Sequence, residues 1–237
     1  MAFLEFEHVY KVYSSGIKAL VDVHFGVDRG EFVFLVGPTG AGKTTLLKLI
    51  NREEVPTSGN VWLEKCRVNR LNHSQVPYLR RNIGMIFQDL RLLPYRSVFE
   101  NLTFPLATLG VGKKAKYQLA REMLNFLGLE EKADNPVEWL SGGEKQKLSI
   151  GRALIHRPKL VLADEPTGHL DGYSAEAVIE VLYRLSREEG TTVLVTTHDW
   201  HLIECFPARV IALEEGKVVR SFPAEFFEGK SELRDQL

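Results

Sequence analysis

The pattern of apolar and polar positions divides the chain into short strand-like runs and longer stretches of helical spacing. Residues 4–9 and 21–27 alternate apolar and polar side chains, the period of a half-buried strand, with a turn at Ser14-Ser15-Gly16 between them. Residues 31–36 form a nearly continuous apolar run and predict a strand covered on both faces. A glycine-rich stretch follows, and residues 45–50 read as the start of a helix. A turn at 56–60 leads into a strand at 61–63, and residues 83–87 predict another that ends at Gln88. From about residue 89 to 133 the period changes, and 98–109 and 115–127 carry helical spacing. Strand-like patterns resume at 159–165 and 191–197, with a helix over about 173–188 between them. Residues 208–213 and 217–222 predict a hairpin around Glu215-Gly216, and the polar tail from Pro223 is expected to fray. No internal repeat is visible. Strands alternating with helices predict an α/β fold with a mostly parallel sheet, an N-terminal antiparallel β region and an inserted helical segment.

Composition narrows the setting. The chain has 237 residues, 44% hydrophobic and 26% charged, as in an ordinary globular protein of one large or two small domains. A formal net charge of −1 gives no ground for expecting a nucleic acid partner. No apolar run approaches the ~18 residues of a membrane span, and the acidic N-terminus lacks the form of a signal peptide. The expected location is therefore cytoplasmic, with any membrane association made through a partner. Cys66 and Cys205 stand far apart without metal-ligand spacing and read as ordinary semi-buried thiols.

The candidate chemistry starts at Gly37-Pro38-Thr39-Gly40-Ala41-Gly42-Lys43-Thr44, a G-x-x-x-x-G-K-T phosphate-binding loop set between a predicted strand and a predicted helix. Such a turn points backbone N–H groups and a helix dipole at an anion. Lys43 is placed to reach the β- and γ-phosphates, and Thr44 to ligate Mg²⁺. Asp164 and Glu165 end an apolar strand, at the sheet edge where open α/β sheets bind ligands. There Asp164 can hold Mg²⁺ and Glu165 can polarise a water; the plainer reading is a solvated acidic pair. Ser141-x-x-Glu144 fits a capping box, yet Gly142 and Gly143 fall in the first helical turn, where glycine costs about 1 kcal/mol relative to alanine. Close approach of a phosphate explains them, which suggests a nucleotide shared between two chains. Tyr10 and Tyr13 follow the first predicted strand and either offers a ring face to a base; packing is the alternative. His8, His24, His73, His156 and His201 fit no motif, and Lys113, Lys114 and Lys116 read as a solvated helix end.

In this order, the loop at 37–44, Gln88, Leu140-Ser141-Gly142-Gly143-Glu144, residues 160–165 and His198 resemble the ABC (ATP-binding cassette) ATPases, over residues 4–222. The resemblance implies the ABC type of P-loop NTPase fold. A core of residues 1–88 and 159–222 would carry a helical subdomain at 89–158 and a tail at 223–237. It implies that Tyr13 stacks on adenine and that residues 37–44 with Thr45 cradle ATP. Thr44, Gln88 and Asp164 would hold Mg²⁺, and Gln88 would sense the γ-phosphate. Glu165, His198, Gln88 and Lys43 would be catalytic, with Ser141, Gly142, Gly143 and Glu144 closing over ATP held by a second chain. The ATP-bound protein would be a homodimer, and the segment after Gln88 would receive a helix of an integral membrane partner, with the contact within 89–106, where Leu92, Leu93, Tyr95, Val98 and Phe99 offer apolar surface; packing in the helical segment's own core is the alternative. Residues 31–50, 79–93 and 163–168 are most similar to cassettes of cell-division complexes. They are also similar to those of lipoprotein and small-molecule exporters; soluble members acting on DNA or ribosomes fit a single cassette less well. His169 departs from the Asn or Ala usual before Leu-Asp, either as a tolerated change or as a pH-sensitive one.

Overall fold

The computed structural model describes residues 2–168 and 170–224, so His169 and most of the predicted fraying tail lie outside the described residues. Two sheets face each other across one helix. The first is antiparallel, in the order β2 (Lys18–Val27), β1 (Leu4–Val12), β4 (Ser58–Leu63), β5 (Cys66–Arg67). The second has six strands: β10 (Lys217–Phe222), β9 (Arg209–Glu214), β3 (Phe32–Val36), β8 (Thr192–Thr196), β7 (Leu160–Asp164) and β6 (Ile83–Ile86). All neighbours in it are parallel except β9 and β10, which form the expected hairpin.

β3 shows how the layers arise. All five of its residues are buried. Val33 and Leu35 point toward α1 (Lys43–Ile50) and the antiparallel sheet, packing with Phe6, Phe25, Leu46, Leu47, Leu49 and Ile50. Phe32, Phe34 and Val36 point the other way, into a core shared with α5 (Gly142–Leu154), α6 (Gly172–Glu189) and α7 (Trp200–Cys205). A strand apolar on both faces is what a sheet covered on both sides requires. α2 (Val76–Arg80) leads into β6. Between β6 and β7 the chain runs through α3 (Val98–Thr108), α4 (Lys113–Leu127) and α5. These helices bury Val98, Leu102, Leu106, Leu124, Leu127 and Leu148 in an apolar cluster of their own.

Several expectations need correction. β1 runs to Val12, so Tyr10 lies within it and only Tyr13 follows it. β2 starts three residues earlier than predicted, and α1 begins at Lys43, which puts Lys43 and Thr44 in its first turn. Cys66 is half-buried as expected, but Cys205 is exposed.

Candidate active site

The phosphate-binding loop leaves the C-terminal end of β3 and is pressed against its surroundings. A side chain on Gly37 would put its Cβ 2.1 Å from the Leu213 carbonyl oxygen of β9, and one on Gly42 would reach within 2.7 Å of the Ala19 carbonyl oxygen of β2. Both have positive φ, 146° and 107°, so only glycine fits on either ground. Gly42 is the N-cap of α1, and having no side chain it offers no cap to the helix. The amides of the first turn, among them Lys43, Thr44 and Thr45, are thus left to an external acceptor. Lys43 is buried, and its ammonium donates to the carbonyls of Gly37 and Pro38 at 2.7 and 3.2 Å. The loop's own amine therefore sits over the loop, where a phosphate cradled by these amides would meet it. These features fit a nucleotide phosphate.

The neighbouring strands bring the acids to the same edge. Thr44 Oγ1 donates to Asp164 Oδ1 at 3.1 Å, and buried Thr196 donates to the same oxygen at 2.9 Å. A hydroxyl and a carboxylate side by side are hard oxygen ligands and suit Mg²⁺. Glu165, just past β7, has a left-handed backbone with φ 45°, an unfavourable conformation for a residue with a side chain. Its N–H donates to Thr196 Oγ1 at 2.8 Å, and its carbonyl closes a turn with the Gly168 N–H. His198, just past β8, is largely exposed and holds Nδ1 3.6 Å from Glu165 Oε2. Gln88 lies exposed two residues beyond β6, whose Ile86 pairs with Ala163, so the register carries Gln88 to this edge as well. Tyr13 Oη lies 3.2 Å from Thr45 Oγ1, and Lys11 Nζ stands 5.0 Å from its ring centre. Tyr10 pairs with Ser58 inside the antiparallel sheet instead.

Ser141 to Glu144 stand apart. The capping box is complete: Ser141 Oγ accepts from the Glu144 N–H and Glu144 accepts from the Ser141 N–H. Lys132 donates to the same carboxylate and, with the Ser141 N–H, holds it below the usual carboxylate range. Side chains added at Gly142 or Gly143 would meet open space. Nothing in their own chain crowds these two glycines, and the capping box leaves their amides unused.

Four residues outside any motif tie this machinery together. From α5, buried Gln146 donates to the Pro166 carbonyl, next to Glu165. Arg152 donates to the carbonyls of Leu90 and Arg91, and Ser149 to that of Leu90. Leu90 and Arg91 are themselves left-handed, with φ 57° and 46°. Thr196 is the fourth. Each acts over 20 or more residues of sequence, a separation that no local pattern marks.

Residues 20–168 match the profile of the ABC transporter family. The chain belongs to that family. Among curated relatives, the cell division ATP-binding protein FtsE of Mycobacterium tuberculosis is 44% identical over 90% of this chain and 93% of its own length. That of Escherichia coli K12 is 43% identical over 90% and 96%. Among solved structures, the dimeric ATP-binding cassette MJ0796 in a post-hydrolysis state bound to ADP and Pi superposes with a TM-score of 0.85, at 34% identity over 93% of this chain and 98% of that one. The cassette cbiO1 of Clostridium perfringens, part of the ABC transporter complex cbiONQ, gives 0.88 at 27% identity over 99% and 94%. The fold is that of an ATP-binding cassette.

Proposed function

We propose that this cassette hydrolyses ATP between two copies of itself and drives a membrane partner in cell division, as the FtsE subunit does with FtsX. One observation carries the hydrolysis: Lys43, Thr44, Asp164, Glu165 and His198 converge at the carboxyl ends of three adjacent strands. Glu165 accepts a proton from a water as that water attacks the γ-phosphorus. The bond to the bridging oxygen of ADP breaks, and phosphate leaves. Lys43 balances charge on the β- and γ-oxygens, and His198, beside Glu165, contacts the γ-phosphate. Bound through Thr44, Asp164 and Gln88, Mg²⁺ would neutralise charge on the same oxygens. Tyr13 flanks the adenine.

The open face of Gly142 and Gly143 supports the dimer. Their free amides, with the Ser141 hydroxyl, cover the γ-phosphate held by the other copy. In this reading residues 89–158 act as a helical subdomain on the core of 1–88 and 159–222. The chain sits on the inner face of the membrane only through its partner; among the described residues no helix is long and apolar enough to span one. The partner's helix enters a groove of ≈ 530 Å³ lined by Met85, Phe87, Arg91, Phe104 and Leu109, directly after the Gln88 strand. Phe104, which lines the groove, is exposed by 52%, and Tyr95, in the segment between Gln88 and α3, by 90%. Val98, expected in this contact, is instead fully buried in the helical cluster, where Leu92 and Phe99 also pack.

Glu165→Gln keeps the shape of the side chain and removes the base. With Mg-ATP it is expected to elute as a dimer in size-exclusion chromatography, while wild type with ADP elutes as a monomer. Adding Ser141→Arg should abolish the dimer but not ATP binding. A Glu165→Gln protein that turns over ATP at the wild-type rate would refute the assignment. Co-purification of the wild-type chain with FtsX from membranes tests the partner.

A further inference from the structure

α7 presents His201 and Cys205 one turn apart on the same face, and α6 presents Glu176 opposite them. His201 Nε2 lies 2.8 Å from Glu176 Oε1 and 3.7 Å from Cys205 Sγ, and all three donor atoms fall within 4.8 Å of one another. Sequence spacing hides the group, because Glu176 is 25 residues upstream on another helix. We propose that Glu176, His201 and Cys205 form a zinc site that joins α6 to α7, separate from the ATP site, with water as the fourth ligand.

The donor set argues for the class of metal. A thiolate, an imidazole and a carboxylate together suit Zn²⁺, whereas the sulfur disfavours Mg²⁺ and Ca²⁺. Usual zinc bond lengths at tetrahedral angles put nitrogen and sulfur about 3.5 Å apart and nitrogen and oxygen about 3.3 Å apart. The sulfur already stands near that separation, and the carboxylate needs to withdraw by about half an ångström. The hydrogen bond between His201 and Glu176 spans the place the ion would take. Asp199 and Glu204 add negative charge around both His201 and Cys205. Imidazole and thiolate bind the ion only when deprotonated, so binding releases protons and weakens as pH falls. The three side chains are surface-accessible, so an ion has an entry path.

The test uses the full chain without nucleotide, stripped with chelator and kept reduced by a phosphine. Co²⁺ is the probe, because its thiolate charge-transfer band reports sulfur ligation and is blind to the oxygen ligands near Thr44 and Asp164. One equivalent should give the band, and Zn²⁺ should bleach it. Cys205→Ser and His201→Gln should lose the band, Cys66→Ser should keep it, and Glu176→Gln should weaken Zn²⁺ binding by at least about 10-fold. Circular dichroism confirms that each variant is folded. A wild-type protein without the band, a band that survives Cys205→Ser, or one that vanishes in Cys66→Ser would overturn the proposal.

Discussion

Thr196 offers the sharpest test of how the edge of the sheet is built. Its hydroxyl donates to Asp164 Oδ1 and accepts from the Glu165 N–H, using one donor and one acceptor at once, and the residue is fully buried. Thr196→Val keeps the shape and removes both bonds. Losing a hydrogen bond to a carboxylate costs about 1.5–3 kcal/mol, and leaving an N–H without a partner costs about 1–3 kcal/mol. Asp164 keeps Thr44 and part of the Glu165 turn reaches solvent, so we take a total of about 3 kcal/mol. For a chain of this size that lowers the melting temperature by about 6–12 °C. Glu165 also loses the bond that holds its left-handed backbone, so single-turnover ATP hydrolysis should slow by about 10-fold or more, with ATP affinity little changed. Thr196→Ser keeps the hydroxyl and loses only a methyl group, worth about 1 kcal/mol. Melting curves and rapid-quench assays on both variants decide the matter. A valine variant that melts within about 2 °C of wild type, or a serine variant equally damaged, would refute the account.

Other outcomes follow from the same geometry. Lys43→Ala should lower hydrolysis by at least about 10²-fold, since charge stabilisation dominates phosphoryl transfer; steady-state activity within a few-fold of wild type would contradict this. Tyr95→Glu and Phe104→Glu should weaken co-purification with the membrane partner without changing the melting temperature, because both side chains are exposed. The Glu144 carboxylate, held low by Lys132 and the Ser141 N–H, contributes stability that is complete above its unfolded value near 4.5 and is lost as pH falls through its lower folded value. Glu144→Gln keeps the cap but not the ion pair, so its stability, followed by urea unfolding, should differ from wild type at neutral pH and converge with it in acid.

What the sequence disclosed was mostly local. Residues 37–44 could be read directly because strand, turn and helix lie within twenty residues and each carries its own signal. The reading of β1 stopped at Val9 because His8, at φ 46°, sits where the pairing register with β2 shifts, and the alternation of side chains breaks there. α1 starts two residues early because a left-handed glycine, not a polar cap, begins it. α7 has six residues, too few to show a helical period. Thr196, Gln146 and Arg152 escaped notice because their partners lie in other segments, and so did the cluster around His201. The expected contact at Val98 failed because an apolar residue in a segment that also lines a groove can face either the groove or the helical core.

The grip of α5 on two distant loops has a mechanical consequence. Gln146 holds the backbone beside Glu165, and two turns further on Arg152 holds the backbone just after Gln88. Thirteen residues make a rod about 20 Å long, stiff over the distances that matter here. Its N-terminal tip is Ser141. In the proposed function, a push at the tip is therefore felt at the loop of Glu165 and at the groove after Gln88 in the same stroke. On that proposal fuel use and force output share one shaft, and a substitution at Gln146 or Arg152 is expected to disturb both together.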